Sequence, residues 1–416
     1  MPKYLIQGDR PLAGEITVSG AKNAALKILA AAVLSPEACT INNVPEIEDI
    51  ARLVEILTNL GADITRQNQT LIVATKNLNK SNPDAELVKK LRSSIMLVGP
   101  LLARFGEVTM AHPGGCIIGQ RPIDMFLAGF KSLGAQIFDH QEFYTLKAKR
   151  LSGAKIVLPW ISVTVTESLM MTACLAQGVT TIINAAMEPE IPELADYLNR
   201  CGAKISGAGT PVITIEGVTA LTTGRCDLIP DRIEAGSFVM LGLTTKSKIK
   251  IANCRPDHLE TVIYLLQKSG ADLEIGSDYI ITKPSQIKGT QLRTHEYPGF
   301  PTDLQAPFTV LMTQAHGQSL IHEMIYEGRL FYTDKLVQMG ANIIMCDPHR
   351  VIVSGPTKLF GKKLESPDLR AGMALILAGL VAQGQTTIDN IYQIERGYEN
   401  IVSRLQNLGA KIEKID

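Results

Sequence analysis

The sequence predicts a two-domain α/β protein built from six repeats of about 70 residues, and three observations carry that prediction. The phrase Gly-Ala, polar residue, aliphatic residue closes an amphipathic stretch six times, with glycines at Gly61, Gly134, Gly202, Gly270, Gly340 and Gly409. A helix of small and aliphatic residues followed by a β-branched strand also recurs six times, over residues 21–34, 93–103, 166–176, 234–243, 304–313 and 369–382. Three copies fall on each side of a midpoint near residues 228–231, which divides the chain into two domains of three repeats.

The Gly-Ala helices come first in the argument because their spacing is explicit. Ile47, Ile50, Val54, Leu57 and Leu60 recur at helical spacing, so Gly61 stands where a left-handed C-cap belongs and the aliphatic residue after it starts a strand. One Gly-Ala pair, Gly153-Ala154, is out of register and reads as a chance occurrence. The second set of helices is apolar nearly all round, which predicts burial at the centre of each domain, whereas the Gly-Ala helices carry a polar face and belong outside. Their strands are CTINNV, GEVTMA, TTIINA, SKIKIA, QSLIHE and TTIDNI in chain order. Lys27 interrupts the first apolar run, which argues against a signal-peptide core, and neither that run nor residues 372–382 is long enough to span a bilayer.

Composition narrows the function. The 41 basic residues balance 41 acidic ones, which argues against a general nucleic-acid coat or a polybasic membrane binder and leaves local charge clusters open. Aromatics make up 5 % with one tryptophan, Trp160, too few for a base-stacking surface. Seven cysteines without a C-x-x-C disfavour a disulfide scaffold and suggest a reducing, cytoplasmic setting. No P-loop and no G-x-G-x-x-G after a strand support nucleotide-triphosphate or dinucleotide chemistry. Cys346 with His349 is the nearest approach to a metal pair and, lacking a second pair, reads as a turn. The expectation is therefore no metal, no cofactor, no nucleic acid and no membrane.

Several residues suit anion chemistry, each with a plainer alternative. Lys22, beside Asn23, opens the first apolar helix, where backbone N–H groups favour an anion; a solvated helix-start lysine fits the same position. Arg92, Arg121, Arg370 and Arg396 lie beside repeat elements rather than in charge runs, as phosphate and carboxylate ligands or as ordinary surface arginines. Cys116 follows Pro113-Gly114-Gly115 in a run that cannot be regular helix, and Arg121 nearby would lower its pKa; an inert loop thiol is the alternative. Asp303, after Pro301 and Thr302, reads equally as a helix N-cap.

The strings SGAKNAAL from Ser19, HPGGCIIGQRPID from His112, IPDRIEAG from Ile229, FPTDLQA from Phe300, DLRAG from Asp368 and IERGYE from Ile394, set on this repeat plan, resemble the enolpyruvyl transferases from about residue 3 to 415. The resemblance implies a pair of inverse α/β barrels of three repeats each, with the active site in the cleft between them. It implies domains at 21–230 and at 1–20 with 231–416, because the chain of that fold begins in one domain, builds the other and returns. The reaction implied transfers the enolpyruvyl group of phosphoenolpyruvate to the 3-hydroxyl of UDP-N-acetylglucosamine and releases phosphate. Enolpyruvylshikimate-phosphate synthesis shares fold and donor, and the PGGC loop argues against it; a non-catalytic nucleotide-sugar-binding paralogue is the alternative of another class.

By the same resemblance, Lys22, Arg92 and Arg121 lean toward the phosphate and Arg370 and Arg396 toward the carboxylate. Asn23 is implied as a sugar-hydroxyl contact. Cys116 is implied as general acid and as the target of the epoxide fosfomycin. A lowered pKa favours attack but depletes the proton an acid must give, so both roles stay open. Asp303 is implied to receive the sugar hydroxyl proton or orient that hydroxyl. Arg121, Pro122, Ile123, Asp124 and Met125, together with Ser162, Val163 and Ile325, are implied for the nucleotide sugar. Two strings depart from the family pattern: Thr164-Val165 replaces Gly-Ala after Ser-Val, and Glu327-Gly328-Arg329 replaces Glu-Asn-Arg.

Overall fold

The computed structural model of the chain describes residues 2–112 and 122–416. The described chain falls into two compact units, residues 20–112 with 122–229, and residues 2–19 with 230–416. Each unit has its own continuous apolar core, running from Ala21 to Leu228 in the first and from Tyr4 to Ile412 in the second. Each repeat contributes one open sheet, five of four strands and one of three, and none closes on itself among the described residues.

The repeat is clearest over residues 155–216. Lys155–Val157 pairs in parallel with Val179–Ile183, and the helix Val163–Ala173 crosses between them. The outer helix Glu190–Arg200 follows, and then Lys204–Ser206 and Val212–Glu216 add an antiparallel hairpin to the free side of Val179–Ile183. In Val179–Ile183, Thr180 and Ile182 are buried, so one face of the strand packs inward, as the period of two requires. The crossing helix is buried from Val165 through Ala173, whereas an outer helix such as Glu48–Asn59 buries only the stripe Asp49, Ile50, Leu53, Ile56 and Leu57. The central and outer placement expected from composition is therefore the one observed.

In the second unit the three buried helices Arg232–Thr244, Gln305–Thr313 and Leu369–Val381 pack on one another. In the first, Val98–Phe105 packs on Val163–Ala173 so closely that a Cβ on Gly99 would stand 2.2 Å from Thr172 Oγ1. The helix expected over 93–103 is divided, with a 3-10 turn Arg92–Leu97 leading into an α-helix Val98–Phe105. Pro100 lacks an N–H and is tolerated only in the first turn, which fixes the restart at Val98. Among the described residues this second repeat also shows no parallel edge strand: its sheet is Glu107–Ala111, Phe143–Lys147 and Gln136–Asp139, and the capped helix Ala85–Lys90 precedes it instead.

All six expected helix-end glycines hold positive φ, from 93° at Gly134 to 106° at Gly340, and the out-of-register Gly153 is not among the positive-φ glycines. A second left-handed position recurs in four of the six repeats, at the end of the strand that follows the buried helix, where it is occupied by Asn43, Asn184, Asn253 and Asn390.

The repeats are also cyclically shifted along the chain. The strand that opens the first sheet, Arg225–Asp227, comes from the far end of its unit and pairs in parallel with Cys39–Asn42. In the second unit the strand Lys3–Gln7 lies between Gln385–Asp389 and Lys411–Ile415, antiparallel to both, and so completes the last repeat. Ala13–Thr17 then opens the sheet that continues at Lys248–Ala252. At the points where the chain changes unit, the Asp231 N–H donates to the Ser19 carbonyl (2.9 Å) and the Ala21 N–H to the Ile229 carbonyl (2.8 Å).

Candidate active site

Cys116 and Arg121, with the rest of the run 113–121, lie outside the described residues. The remaining expected residues divide between the two units.

In the first unit Lys22 is the first residue of the helix Lys22–Ala31 and Asn23 the second, both half-buried. The N-cap is Ala21, which has no side chain to satisfy the first N–H groups. Three other buried helices are capped by side chains, by Ser162, Asp231 and Asp368. The uncapped start beside a lysine suits an anion. Lys22 Nζ is meanwhile 3.1 Å from Asp49 Oδ2 in the first turn of Glu48–Asn59, with 12 % and 5 % of the two side chains exposed. Arg92, half-buried, opens the 3-10 turn Arg92–Leu97.

Pro122, Ile123, Asp124 and Met125 form the entry to the helix Asp124–Ser132, with Ile123 at its N-cap and Asp124 exposed in its first turn. Ser162 caps Val163–Ala173, its Oγ accepting from the Val165 N–H at 3.4 Å, so the departure Thr164-Val165 falls in the first turn of that helix.

Lys27, noted in the sequence only as an interruption, points its Nζ to within 3.3 Å of Glu167 Oε2 on the neighbouring buried helix. Burial pushes the Glu167 carboxyl up to about 8, with Lys27 opposing that rise and Glu190 adding to it.

In the second unit the geometry is tighter. Asp303 sits in the 3-10 turn Thr302–Leu304, and neither that turn nor the helix Gln305–Thr313 has a side-chain cap, so the alternative of Asp303 as an N-cap is overturned. Its carboxylate is held by two guanidinium groups instead: Oδ1 lies 2.9 Å from Arg329 Nη2, and Oδ2 2.9 Å from Arg370 Nε. Both arginine side chains are 5 % exposed, against 28 % for Asp303, so the carboxylate is the open end of the cluster. Burial alone pulls the Arg370 guanidinium down, but Asp303 and Tyr398 outweigh it and hold it above its ordinary value. Burial acts the same way on Arg329, where Asp303, Asp368 and Glu323 outweigh it.

Arg370 is the second residue of Leu369–Val381, aimed by the cap in which Asp368 Oδ1 accepts its backbone N–H at 2.8 Å. Its Nη1 reaches the Tyr398 hydroxyl at 3.4 Å. Arg396, half-buried, ends the short helix Tyr392–Glu395, with Nη1 donating to Gln393 Oε1 at 3.0 Å. The Ile325 N–H donates to Glu323 Oε1 at 2.8 Å.

The structure thus joins Asp303 directly to Arg370 and adds three groups the sequence reading passed over: Arg329, Thr302 and Glu323. Arg329 was visible only as the end of the departing Glu327-Gly328-Arg329 string. Cys346 lies in the strand Asn342–Asp347, and His349 in the following turn has Nδ1 2.8 Å from the Glu323 carbonyl oxygen. Among the described residues no helix is long and apolar enough to cross a membrane.

The chain is similar to known proteins over its length. A family model described as EPSP synthase (3-phosphoshikimate 1-carboxyvinyltransferase) matches residues 6–405. A Proteus mirabilis protein named UDP-N-acetylglucosamine 1-carboxyvinyltransferase is 44 % identical over 418 aligned residues, covering 100 % of this chain and 99 % of its own. A protein of the same name from Desulfosudis oleivorans is 44 % identical over 100 % of both chains. Among solved structures, the enolpyruvyl transferase NikO from Streptomyces tendae superposes with a TM-score of 0.91 at 24 % identity, covering 99 % of this chain and 98 % of its own. EPSP synthase from Acinetobacter baumannii superposes with a TM-score of 0.75 at 19 % identity over 100 % of both chains. At those identities the two structures speak for the fold.

Proposed function

The chain belongs to the EPSP synthase (3-phosphoshikimate 1-carboxyvinyltransferase) family of enolpyruvyl transferases, and from that we propose that it transfers the enolpyruvyl group of phosphoenolpyruvate to the 3-hydroxyl of UDP-N-acetylglucosamine. Phosphate is released, and the product enters peptidoglycan precursor synthesis in the cytoplasm. The observation that carries this reading is the 44 % identity, over the full length of both chains, to a protein named for that reaction. The family model alone would admit 3-phosphoshikimate as acceptor; the full-length relatives favour the nucleotide sugar.

The chemistry assigns a task to each group. A bond forms between the sugar 3-oxygen and C2 of phosphoenolpyruvate as C3 takes a proton; loss of a proton from C3 and departure of phosphate then restore the double bond. Cys116 is the proposed acid toward C3. Lys22 and the uncapped helix start, with Arg92 and Arg121, neutralise the phosphate, and Arg370 and Arg396 take the carboxylate. Asn23 contacts a sugar hydroxyl, while residues 121–125, Ser162, Val163 and Ile325 hold the nucleotide sugar. Asp303 faces the acceptor hydroxyl. A carboxylate held by two guanidinium groups is a weak base, so its main contribution is to orient that hydroxyl, with the proton leaving as the new C–O bond forms.

The test is phosphate release from phosphoenolpyruvate measured with UDP-N-acetylglucosamine, with 3-phosphoshikimate, and with neither. Release that depends on the nucleotide sugar supports the reading. Release with 3-phosphoshikimate alone, or binding of the nucleotide sugar without release, overturns it.

A further inference from the structure

The left-handed asparagines that end four repeat strands all do the same thing. The side-chain amides of Asn43, Asn184, Asn253 and Asn390 donate to the carbonyls of Leu228, Leu158, Val18 and Ser366, at 2.9, 3.0, 2.8 and 2.9 Å. Each acceptor is the residue just past the parallel strand, so the amide staples two neighbouring strand ends. In the fifth repeat the equivalent residue after the strand Gly317–His322 is Glu323, and the residue just past its parallel strand Gln291–Arg293 is Thr294.

Glu323 is fully buried, and a carboxylate is far more costly to bury than an amide. Stapling alone therefore does not account for it. Its Oε1 accepts from Thr294 Oγ1 at 3.0 Å and from the Ile325 N–H at 2.8 Å, which replaces the staple and holds the following loop. Its Oε2 does something no asparagine in the set does: it accepts from Thr302 Oγ1 at 2.8 Å.

A threonine hydroxyl has one proton. With that proton committed to Glu323, Thr302 Oγ1 must present a lone pair to its other neighbour, and Arg329 Nη1 donates to it at 2.8 Å. The second nitrogen of the same planar guanidinium, Nη2, reaches Asp303 Oδ1 at 2.9 Å. Three hydrogen bonds of fixed direction thus run from Glu323 to the Asp303 carboxylate.

We propose that Glu323 is a positioning residue of the enolpyruvyl transfer, acting through the Thr302 hydroxyl to fix the Arg329 guanidinium plane and with it the Asp303 carboxylate. The inference rests on the reaction proposed above. It places Glu323 out of contact with substrate, as a support whose loss is felt in turnover.

The test uses the full-length enzyme and substitutions that separate support from folding. Glu323→Asn installs the residue of the four sister repeats and so keeps a staple to Thr294 while removing the acceptor for Thr302. Glu323→Asn and Glu323→Gln are expected to lower kcat by about 10–100-fold, with KM for phosphoenolpyruvate changed less than about 3-fold. Thr302→Val should lose as much, and Thr302→Ser, which keeps the hydroxyl, should stay within about 3-fold of the parent. The double variant Glu323→Gln with Thr302→Val should be no worse than the poorer single variant, because both cut one chain of bonds. A Glu323→Asn enzyme with parental kcat, losses that multiply in the double variant, or a lowered thermal midpoint without loss of turnover per folded molecule would each overturn the positioning role. A parent silent with both acceptors removes the proposed reaction and this inference with it; an active parent whose Glu323 variants are equally active removes this inference alone.

Discussion

Lys27 Nζ lies 3.3 Å from Glu167 Oε2 between two buried helices of the first unit, with 6 % and 0 % of the two side chains exposed. Burial raises the Glu167 carboxyl to about 8 from an ordinary 4.5, so the folded chain binds its proton more tightly than the unfolded chain does. The stability contributed by that proton is complete below the unfolded value of 4.5 and is lost as pH rises through about 8. The thermal midpoint of the parent should therefore fall more steeply between pH 5 and pH 9 than that of Glu167→Gln, which carries no titratable group there. Parallel curves would mean that Glu167 is ionised throughout that range.

Asp303→Asn removes the charge that faces Arg329 and Arg370 while keeping the shape of the side chain. Acceptor-dependent phosphate release should drop by about 100-fold or more, with the folded structure retained by circular dichroism. A loss of less than about 3-fold would place the hydroxyl-facing role elsewhere.

Fosfomycin should add once to the protein by intact mass, and the adduct should disappear in Cys116→Ser. Burial pushes the thiols of Cys39 and Cys254 up to about 11 and those of Cys174 and Cys226 up to about 12, which keeps their reactive thiolate scarce. Cys346 is exposed and is the informative competitor: an adduct there, with Cys116 unmodified, overturns the assignment.

Two glycines that share a backbone conformation should differ in what alanine costs. Gly202 has φ 98° and open space around a built Cβ, so Gly202→Ala should lose about 1–2 kcal/mol from conformation alone. Gly270 has φ 100°, and its Cβ would stand 2.8 Å from the Gln286 carbonyl oxygen, so Gly270→Ala should lose more. Urea unfolding of the two variants checks the order.

What could be read from the chain alone divides along the range of the interactions. The helix ends were legible because a left-handed C-cap is a local demand that glycine meets best, and the same demand explains why Gly153, outside that conformation, is no repeat marker. The central helices were legible because burial on all sides leaves no polar face. The support around Asp303 was not, because Thr302, Glu323 and Arg329 meet only after a sheet and two turns have folded, and each alone is an ordinary polar residue. The substitution of glutamate for the recurring strand-end asparagine was the one trace in the sequence, and it takes its meaning from the alignment of repeats within the fold. The partner of Lys22 was hidden for the same reason: Asp49 reads as a favourable first-turn acid until the two helices are side by side.

The strand Lys3–Gln7, paired with Ile415 at Lys3 and with Gln385 at Gln7, has a consequence for the order of assembly on the ribosome. This strand is held between two strands that are made much later in the chain. The unit over residues 20–229 has all its described strands once Asp227 has emerged, whereas the unit of residues 2–19 and 230–416 remains one strand short until Lys411–Ile415 has emerged. The unit of residues 20–229 is thus free to fold during translation before the segment bearing Asp303, Arg329 and Arg370 has its whole frame.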